Sequence, residues 1–442
     1  MPTIRKSSLA PVAIIGGGYS GTMLAVRLAE RGLASVLIDP CARPGRGVAY
    51  GTGEDCHLLN VRSGRMSARA GDPDHFVRWL QVHAPELADP DGFAPRRLFG
   101  TYITHQLALA PEGRITHVRG AAHAIGKGRV SVGDQHIDAD HVVLATGNPS
   151  PDGAGNSAHP RVISDPWAQG ALRDIQPTDQ IFLLGSGLTM IDMVLALLQH
   201  GWRGSALAVS RRGLLPRPHD SDQPEVAARA PAKGALSQRL SSARARAGQI
   251  GWGAMMDELR PFNADLWQGL DYTQRARFLR HLRPWWDVHR HRIAPAIWER
   301  FAGADVRVAA GRLVSVTHGE DAADGAGLAI RWRPRGGAEV TLWRGQWMID
   351  CTGPGFDPAR STDPLVRSLI EQGLARPAPL GLGLDVTPAG ALIGADGSAS
   401  DRLWALGPPA RAALWETVAV PDIRERIEAL VETLAETPVS AS

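Results

Sequence analysis

The sequence predicts an α/β protein in which two units of parallel strand, glycine turn and helix each open a domain, with a helical segment inserted into the second. Three observations carry this reading. Apolar strands run straight into glycine-rich turns twice, at residues 12–21 and 181–190. Two further apolar strands end in Thr-Gly, at residues 142–147 and 348–353. From residue 216 to residue 301 strand signals vanish.

Residues 12–15 are apolar and rich in β-branched side chains, the pattern of a parallel strand buried on both faces. Gly16-Gly17-Gly18-Tyr19-Ser20-Gly21 follows at once, and Met23, Leu24, Val26, Leu28 and Ala29 give an amphipathic helix ending near Gly32. A second apolar strand, residues 35–38, closes with Asp39. Gly16 permits the tight turn, Gly18 lets a pyrophosphate approach the backbone, and Gly21 lets helix and strand pack closely. The helix start offers free N–H groups to phosphates. Asp39 is placed to accept hydrogen bonds from ribose hydroxyls. With its flanking elements complete, this pattern reads as a dinucleotide site.

The second unit repeats the plan with two differences. Residues 181–184 form the strand, and Gly185-Ser186-Gly187-Leu188-Thr189-Met190 the turn, with Met190 in place of the third glycine. The next strand, residues 206–209, ends not in an acid but in Ser210-Arg211-Arg212-Gly213. An acid there would repel a 2′-phosphate, whereas arginines bind one through charge-assisted hydrogen bonds. NADPH is therefore expected over NADH, with Arg211 in the leading role and Arg212 or Ser210 assisting. The fold expected from these units is two Rossmann-like dinucleotide-binding domains with a helical insertion.

The Thr146-Gly147 and Thr352-Gly353 turns bring in a resemblance. They resemble the crossings between domains in flavoproteins with two dinucleotide-binding domains. Residues 403–408, Leu-Trp-Ala-Leu-Gly-Pro, look like that family's last strand, with Pro408 where Asp is commoner, and residues 415–424 look like its following helix start. Three more segments, residues 46–50, 57–61 and 75–80, resemble a bacterial FAD/NAD(P)-binding oxidoreductase branch of these flavoproteins. The resemblance implies FAD at the first turn. It implies cofactor contacts at Arg46, Asn60, Val61, Thr146, Gly147, Gly353, Gly407, Trp415, Thr417 and Val418. In the family the last helix points its positive end at the flavin ring. The implied FAD domain is discontinuous, residues 1–147 and 353–442, around an NAD(P)H-binding domain over residues 148–352 that holds the insertion at about 216–301.

Several other features bear on function. Residues 114–137 suit a β-meander feeding the strand at 142, residues 149–159 read as a linker, and the tail beyond residue 430 is expected to fray. In the linker, Gly155 and His159, with Trp167 downstream, loosely resemble the fingerprint of class B flavin monooxygenases, in which Gly153 stands at the usual phenylalanine. His159 is thus the candidate for holding NADP⁺. The stretch 275–292, dense in Arg and His among tryptophans, reads either as an anion pocket or, preferred here, as a solvated basic helix face. His289 and His291 are two apart and share no helix face, so no metal site is expected. Cys41, Cys56 and Cys351 form no CxxC pair, which argues against a dithiol redox centre and against zinc. No G-x-S-x-G elbow supports a serine hydrolase.

The whole-chain figures agree. The 442 residues are 44% hydrophobic and 21% charged with a formal net charge of +3, the composition of a globular protein of two or three domains with no call for nucleic acid. No apolar run approaches a membrane span, and the polar-basic first ten residues lead to a cytoplasmic expectation. The expected function is an FAD-dependent, NADPH-using oxidoreductase, monooxygenase-like on a small-molecule substrate with molecular oxygen. The alternatives are a flavin reductase or dehydrogenase with an organic acceptor, and a non-catalytic redox sensor. The insertion is expected to cover the flavin's open side and to supply most substrate contacts.

Overall fold

The computed structural model describes residues 10–126, 128–149, 159–220, 226–319 and 327–436. In β1 (Ala10–Ile15), Val12 and Ile14 face one apolar cluster while Ala13 and Ile15 face another. A strand buried on both sides must lie inside a sheet covered on each face. The glycine turn leads into α1 (Tyr19–Glu30), and β2 (Ser35–Asp39) runs parallel to β1 with Ser35 opposite Val12. Three helices follow, α2 (Gly47–Tyr50), α3 (His75–His83) and α4 (Arg96–Ala108). Then come β3 (Ile115–Arg119), β4 (Ala122–Gly126), β5 (Arg129–Val132) and β6 (Gln135–Leu144). The meander expected over residues 114–137 is corrected at its start. β3 pairs parallel with β2, Ile115 opposite Ser35, and the antiparallel meander is β4–β5–β6 alone. Alternating apolar residues serve either role, and only the nonlocal partner decides.

The second sheet uses the same device. It opens with β7 (Val162–Ile163), β8 (Ile181–Leu184), α5 (Leu188–Gln199) and β9 (Ala206–Ser210). All four residues of β8 are buried, Ile181 and Leu183 toward α5, Phe182 and Leu184 toward the opposite face. The insertion then supplies α6 (Leu236–Leu259), interrupted at Gly251 (φ 81°), and α7 (Asn263–Gln268). It continues as α8 (Tyr272–Arg277), α9 (Arg283–Arg290) and α10 (Pro295–Ala302). β10 (Val306–Gly319) begins parallel to β9 and continues as the antiparallel partner of β11 (Gly327–Pro334), with β12 (Thr341–Gly345) beyond. This hairpin folds back over the sheet, laying Leu328, Ile330 and Trp332 on Phe182 and Met348. β13 (Trp347–Asp350) returns parallel to β8, giving the order β12-β11-β10-β9-β8-β13-β7.

The last segment completes the first sheet. α11 (Pro364–Glu371), β14 (Ala391–Ile393), β15 (Ala399–Ala405) and α12 (Val420–Glu436) follow in order. β15 lies parallel to β6, Leu403 opposite Val142, so the order is β14-β15-β6-β1-β2-β3. The expectation of a frayed tail beyond residue 430 is overturned as far as Glu436. Val431 and Leu434 are buried in the cluster that α1 contributes to, and Arg27 holds Glu428 through two hydrogen bonds of 2.8 and 2.9 Å. Among the described residues no helix is long and apolar enough to cross a membrane.

Candidate functional site

Both glycine turns sit at the carboxyl edge of their sheet, and both are built against the neighbouring strand end. Gly16 (φ 108°) packs so tightly that a Cβ there would lie 2.4 Å from the Ala145 carbonyl oxygen; at Gly185 (φ 114°) the same atom would lie 2.5 Å from that of Cys351. Each turn therefore rests on a strand that ends in Thr-Gly. A Cβ added at Gly147, Gly187 or Gly353 would meet nothing within 4 Å, so these glycines border open space. The caps of α1 and α5 are Gly18 and Gly187, with no side-chain cap and no acid in the first turn. Their N–H groups are left for an anion.

The first turn is held from both sides. Asp39 accepts hydrogen bonds from Gly17 N–H (2.6 Å) and Cys41 N–H (2.7 Å), which aligns its carboxylate with the turn. Gly45 N–H donates to the Gly17 carbonyl, and Gly47 lies close enough that its Cβ would be 3.1 Å from Gly18 Cα. Arg46 thus stands beside the turn, its guanidinium reaching Thr101 at 3.4 Å while its Nε lies buried without a partner. Tyr19 and Ser20 are buried in the first turn of α1, and a Cβ on Gly407 would meet Ser20 Oγ at 2.7 Å. Thr417 is buried with its hydroxyl unpartnered. Val418 follows it, its N–H donating to the Glu416 carbonyl.

At the second turn the Ser210 hydroxyl accepts from Ser186 Oγ (2.7 Å) and from Gly213 N–H (3.0 Å), which ties it into the loop. Arg212 donates to the Arg280 carbonyl of the insertion at 3.1 Å. Arg211 is the exposed charge at this rim. Leu188 and Thr189, half-buried, form the start of α5.

His159 is corrected outright. It precedes β7 at the amino edge of the second sheet, where its ring lies 4.1 Å from His318. His318 pairs with Leu328, which pairs with Gly345 beside the start of β8. Gly185, Ser210 and Thr352 stand at the other edge, so His159 cannot hold a nucleotide bound there. Burial, then His318 and Arg161, lowers its pKa. The rest of the linker fingerprint, with Gly153 and Gly155, lies outside the described residues.

Side chains that sequence reasoning missed join the two halves. Arg96 at the start of α4 grips Asp192 of α5 with two parallel bonds of 2.9 and 3.0 Å, and its Nε donates to the Leu58 carbonyl at 3.0 Å. Both side chains are largely buried, 15% and 8% exposed. His57 Nε2–H donates to the Asp192 carbonyl (2.9 Å) while its Nδ1 meets Thr52 Oγ1 (2.7 Å). The available signal was Asp192 itself, the one charge in the helix LTMIDMVLALLQ.

The insertion is tied to the C-terminal segment by a second network. Glu416, buried and held at φ 74°, accepts from Trp286 Nε1–H at 2.6 Å and faces Arg290 and His291. Burial alone would raise its pKa, but His291, Arg290, the Trp286 bond and Arg411 outweigh that and lower it. Asp422, in the first turn of α12, lies near Arg260 and Arg290, and Asp257 near Arg292 and Arg65. Two expectations change. The 275–292 stretch is not simply a solvated face, because its end from Arg290 to Arg292 is drawn into ion pairs beneath the insertion. The positive end of α12 is partly neutralised by Asp422. Arg277, Arg280 and His281 are exposed as expected.

Asn60 anchors the entry to the insertion, its carbonyl accepting from His219 Nε2–H at 3.0 Å, with half-buried Val61 beside it. Burial, reinforced by Arg292, pushes the His219 pKa down to about 4 from 6.5. Between those values the unfolded chain binds a proton that the native chain does not, so stability must rise with pH across this window. The loss on acidification through it is expected to reach about 3 kcal/mol. Urea unfolding at a series of pH values should show a slope to which other buried histidines add, and His219→Gln, which keeps a donor, should reduce it; an unchanged slope would refute the assignment.

A family model described as FAD-NAD(P)-binding matches residues 13–149. No curated protein matches the chain. Among solved structures, the reduced form of ornithine hydroxylase from Pseudomonas aeruginosa is similar at 16% identity with a TM-score of 0.66, covering 97% of this chain and 99% of that one. Ornithine N-hydroxylase from Kutzneria sp. 744, with reduced FAD, NADP⁺ and L-ornithine, is similar at 14% identity and TM-score 0.63, covering 97% and 99%. The FAD-bound cadaverine monooxygenase of desferrioxamine biosynthesis from Erwinia amylovora is similar at 14% and 0.67, covering 99% and 97%. The fold is theirs from end to end: two Rossmann-like domains.

Proposed function

We propose that the chain is an FAD-dependent oxidoreductase that draws electrons from NADPH and works as a monooxygenase on a small molecule. The observation that carries this is the doubled glycine turn with opposite charge at its two rims, Asp39 at the first and Arg211 at the second. An acidic rim suits ribose hydroxyls and a basic one a 2′-phosphate. Gly16, Gly18, Gly21 and Asp39 would hold the dinucleotide part of FAD, with Arg46, Asn60, Val61, Thr146 and Gly147 along its length. Gly353, Gly407, Trp415, Thr417 and Val418 would close over its ring. Gly185, Gly187, Leu188, Thr189 and Arg211 would hold NADPH. The tight seat of Gly16 and the buried, unpartnered Thr417 hydroxyl and Arg46 Nε are what a bound cofactor at the first turn would use.

On this reading residues 10–147 and 353–436 form the FAD-binding part and residues 159–352 the nicotinamide part with its insertion. The two cofactors together supply hydride transfer and the reaction with oxygen. The chain's own share is to hold both rings in register through the Arg96–Asp192 grip and to keep water out beneath the insertion. The fold shared with enzymes of this chemistry favours oxygen over an organic acceptor.

The test is the visible spectrum of the purified protein, then NADPH oxidation with and without oxygen. A yellow protein whose steady NADPH consumption requires oxygen is expected. Equal turnover under nitrogen with an organic acceptor would establish the reductase reading, a single reduction without turnover the sensor reading, and a protein that binds no flavin would end all three. Arg211→Ala is expected to raise KM for NADPH about tenfold or more while leaving NADH use almost unchanged. Equal losses with both nucleotides would remove the 2′-phosphate role.

A further inference from the structure

The insertion lines a half-open cavity of about 930 Å³ whose lining includes Trp415. Its walls are aromatic. Trp252 stacks on His289 with ring centres 4.5 Å apart, Trp267 stacks on Trp415 at 4.9 Å, and Phe278 meets Trp415 edge-on. Its charge is one-sided. Among the described residues the lining holds six arginines, at 217, 229, 239, 244, 246 and 292, against two carboxylates, Asp220 and Glu258, and Arg292 is already paired with Asp257. Glu258 is already gripped by Arg246, which with burial set against it lowers the carboxyl pKa. Its polar interior is unsatisfied. Asn263 is 5% exposed, lines the cavity, and has neither its amide oxygen nor its amide nitrogen bonded. Trp415 Nε1 is likewise buried and unpartnered. Asn263 sits one turn before Trp267 on α7, so the two share a helix face.

A buried amide with both ends unpaired is disfavoured unless something pairs with it. Flat aromatic walls select a flat apolar body, and a surplus of guanidinium selects a negative charge. A cavity for a diamine or a basic amino acid would need the opposite surplus. We infer that this cavity binds the substrate and that the substrate is an organic anion with a flat apolar body, its carboxylate met by arginine and a second polar group by Asn263. The link to chemistry rests on the proposed flavin site, because Trp415 is both a wall of this cavity and part of the segment assigned to the flavin ring.

Calorimetric titration of the purified full chain with 2-naphthoate and with 2-naphthylmethylamine, which share a body and differ in charge, tests this. Naphthoate is expected to bind at least about tenfold tighter than the amine, ornithine or cadaverine. Asn263→Leu should weaken 6-hydroxy-2-naphthoate, which carries the second polar group that naphthoate lacks, about fivefold and raise the unfolding temperature, because an unpaired amide is replaced by an apolar group of similar volume. Arg217→Gln, at an exposed position, should also weaken naphthoate and should fold in any case. Flavin content read from the same sample separates the two proposals. Naphthoate binding without flavin would sustain the aromatic-anion site, detach it from flavin chemistry and end the flavin reading. Flavin without a preference for the anion, or an anion affinity untouched by both variants, would overturn this inference and leave the flavin reading standing.

Discussion

Arg96→Ala is expected to destabilise the protein by about 3–5 kcal/mol, because it leaves the Asp192 carboxylate buried without its counter-charge. The two bonds of that grip and the third to the Leu58 carbonyl all disappear at once. The double variant Arg96→Met/Asp192→Leu should recover most of the loss, since a buried ion pair is often replaceable by apolar groups of similar size. Urea unfolding of the wild type, both single variants and the double variant gives the coupling directly. A loss below about 1 kcal/mol for Arg96→Ala would mean that the pair is effectively solvated. A second readout follows from its position. Arg96 belongs to the helices of the first sheet and Asp192 to the helix after the second glycine turn, so its removal should let the two halves unfold in separate transitions.

Gly21→Ala is expected to abolish flavin retention. A Cβ there would lie 1.9 Å from the Gly16 carbonyl oxygen, and backbone on a β-strand end has no cheap way to move. Displacing the turn shifts every N–H group that would face the pyrophosphate, so FAD affinity should fall about a hundredfold or more. NADPH affinity, which the proposed function assigns to the other sheet, should hold. Gly248→Ala is the matched control. Its Cβ would meet nothing within 4 Å, and within a helix the change should be neutral or slightly stabilising. Retention of flavin by Gly21→Ala after dialysis would show that the first turn is not the FAD site.

The contrast between these two residues also marks what could be read from the sequence. Gly21 belongs to a pattern whose elements all lie within thirty residues, and local sterics force the same turn wherever that pattern occurs. The strands around it were equally legible, since a run such as residues 181–184 is buried on both faces in any parallel sheet. Arg96 and Asp192 are far apart in sequence, and nothing local to either announces the other, although a lone acid in an apolar helix invited the question. His159 shows the reverse hazard. A histidine before a strand looks like its counterpart at a nucleotide site until the sheet's direction is known, and then it stands at the wrong edge. Glu416 and Arg290 were unreadable for the same reason as Arg96. Their environment is made by the insertion folding over a segment 130 residues away.

The return of the chain to its first sheet sets an order of assembly during synthesis. β15 pairs with β6 only after more than two hundred and fifty intervening residues exist, and Glu428 reaches Arg27 across 401 positions. Every described strand of the second sheet comes from residues 162–350, so that sheet can close while the first still shows the carboxyl end of β6, residues 142–144, as an open edge on the ribosome. An unpaired edge of this kind invites pairing with another chain. Nascent chains stalled before residue 399 should therefore expose the N-terminal half to chaperones and proteases, with the second sheet already folded.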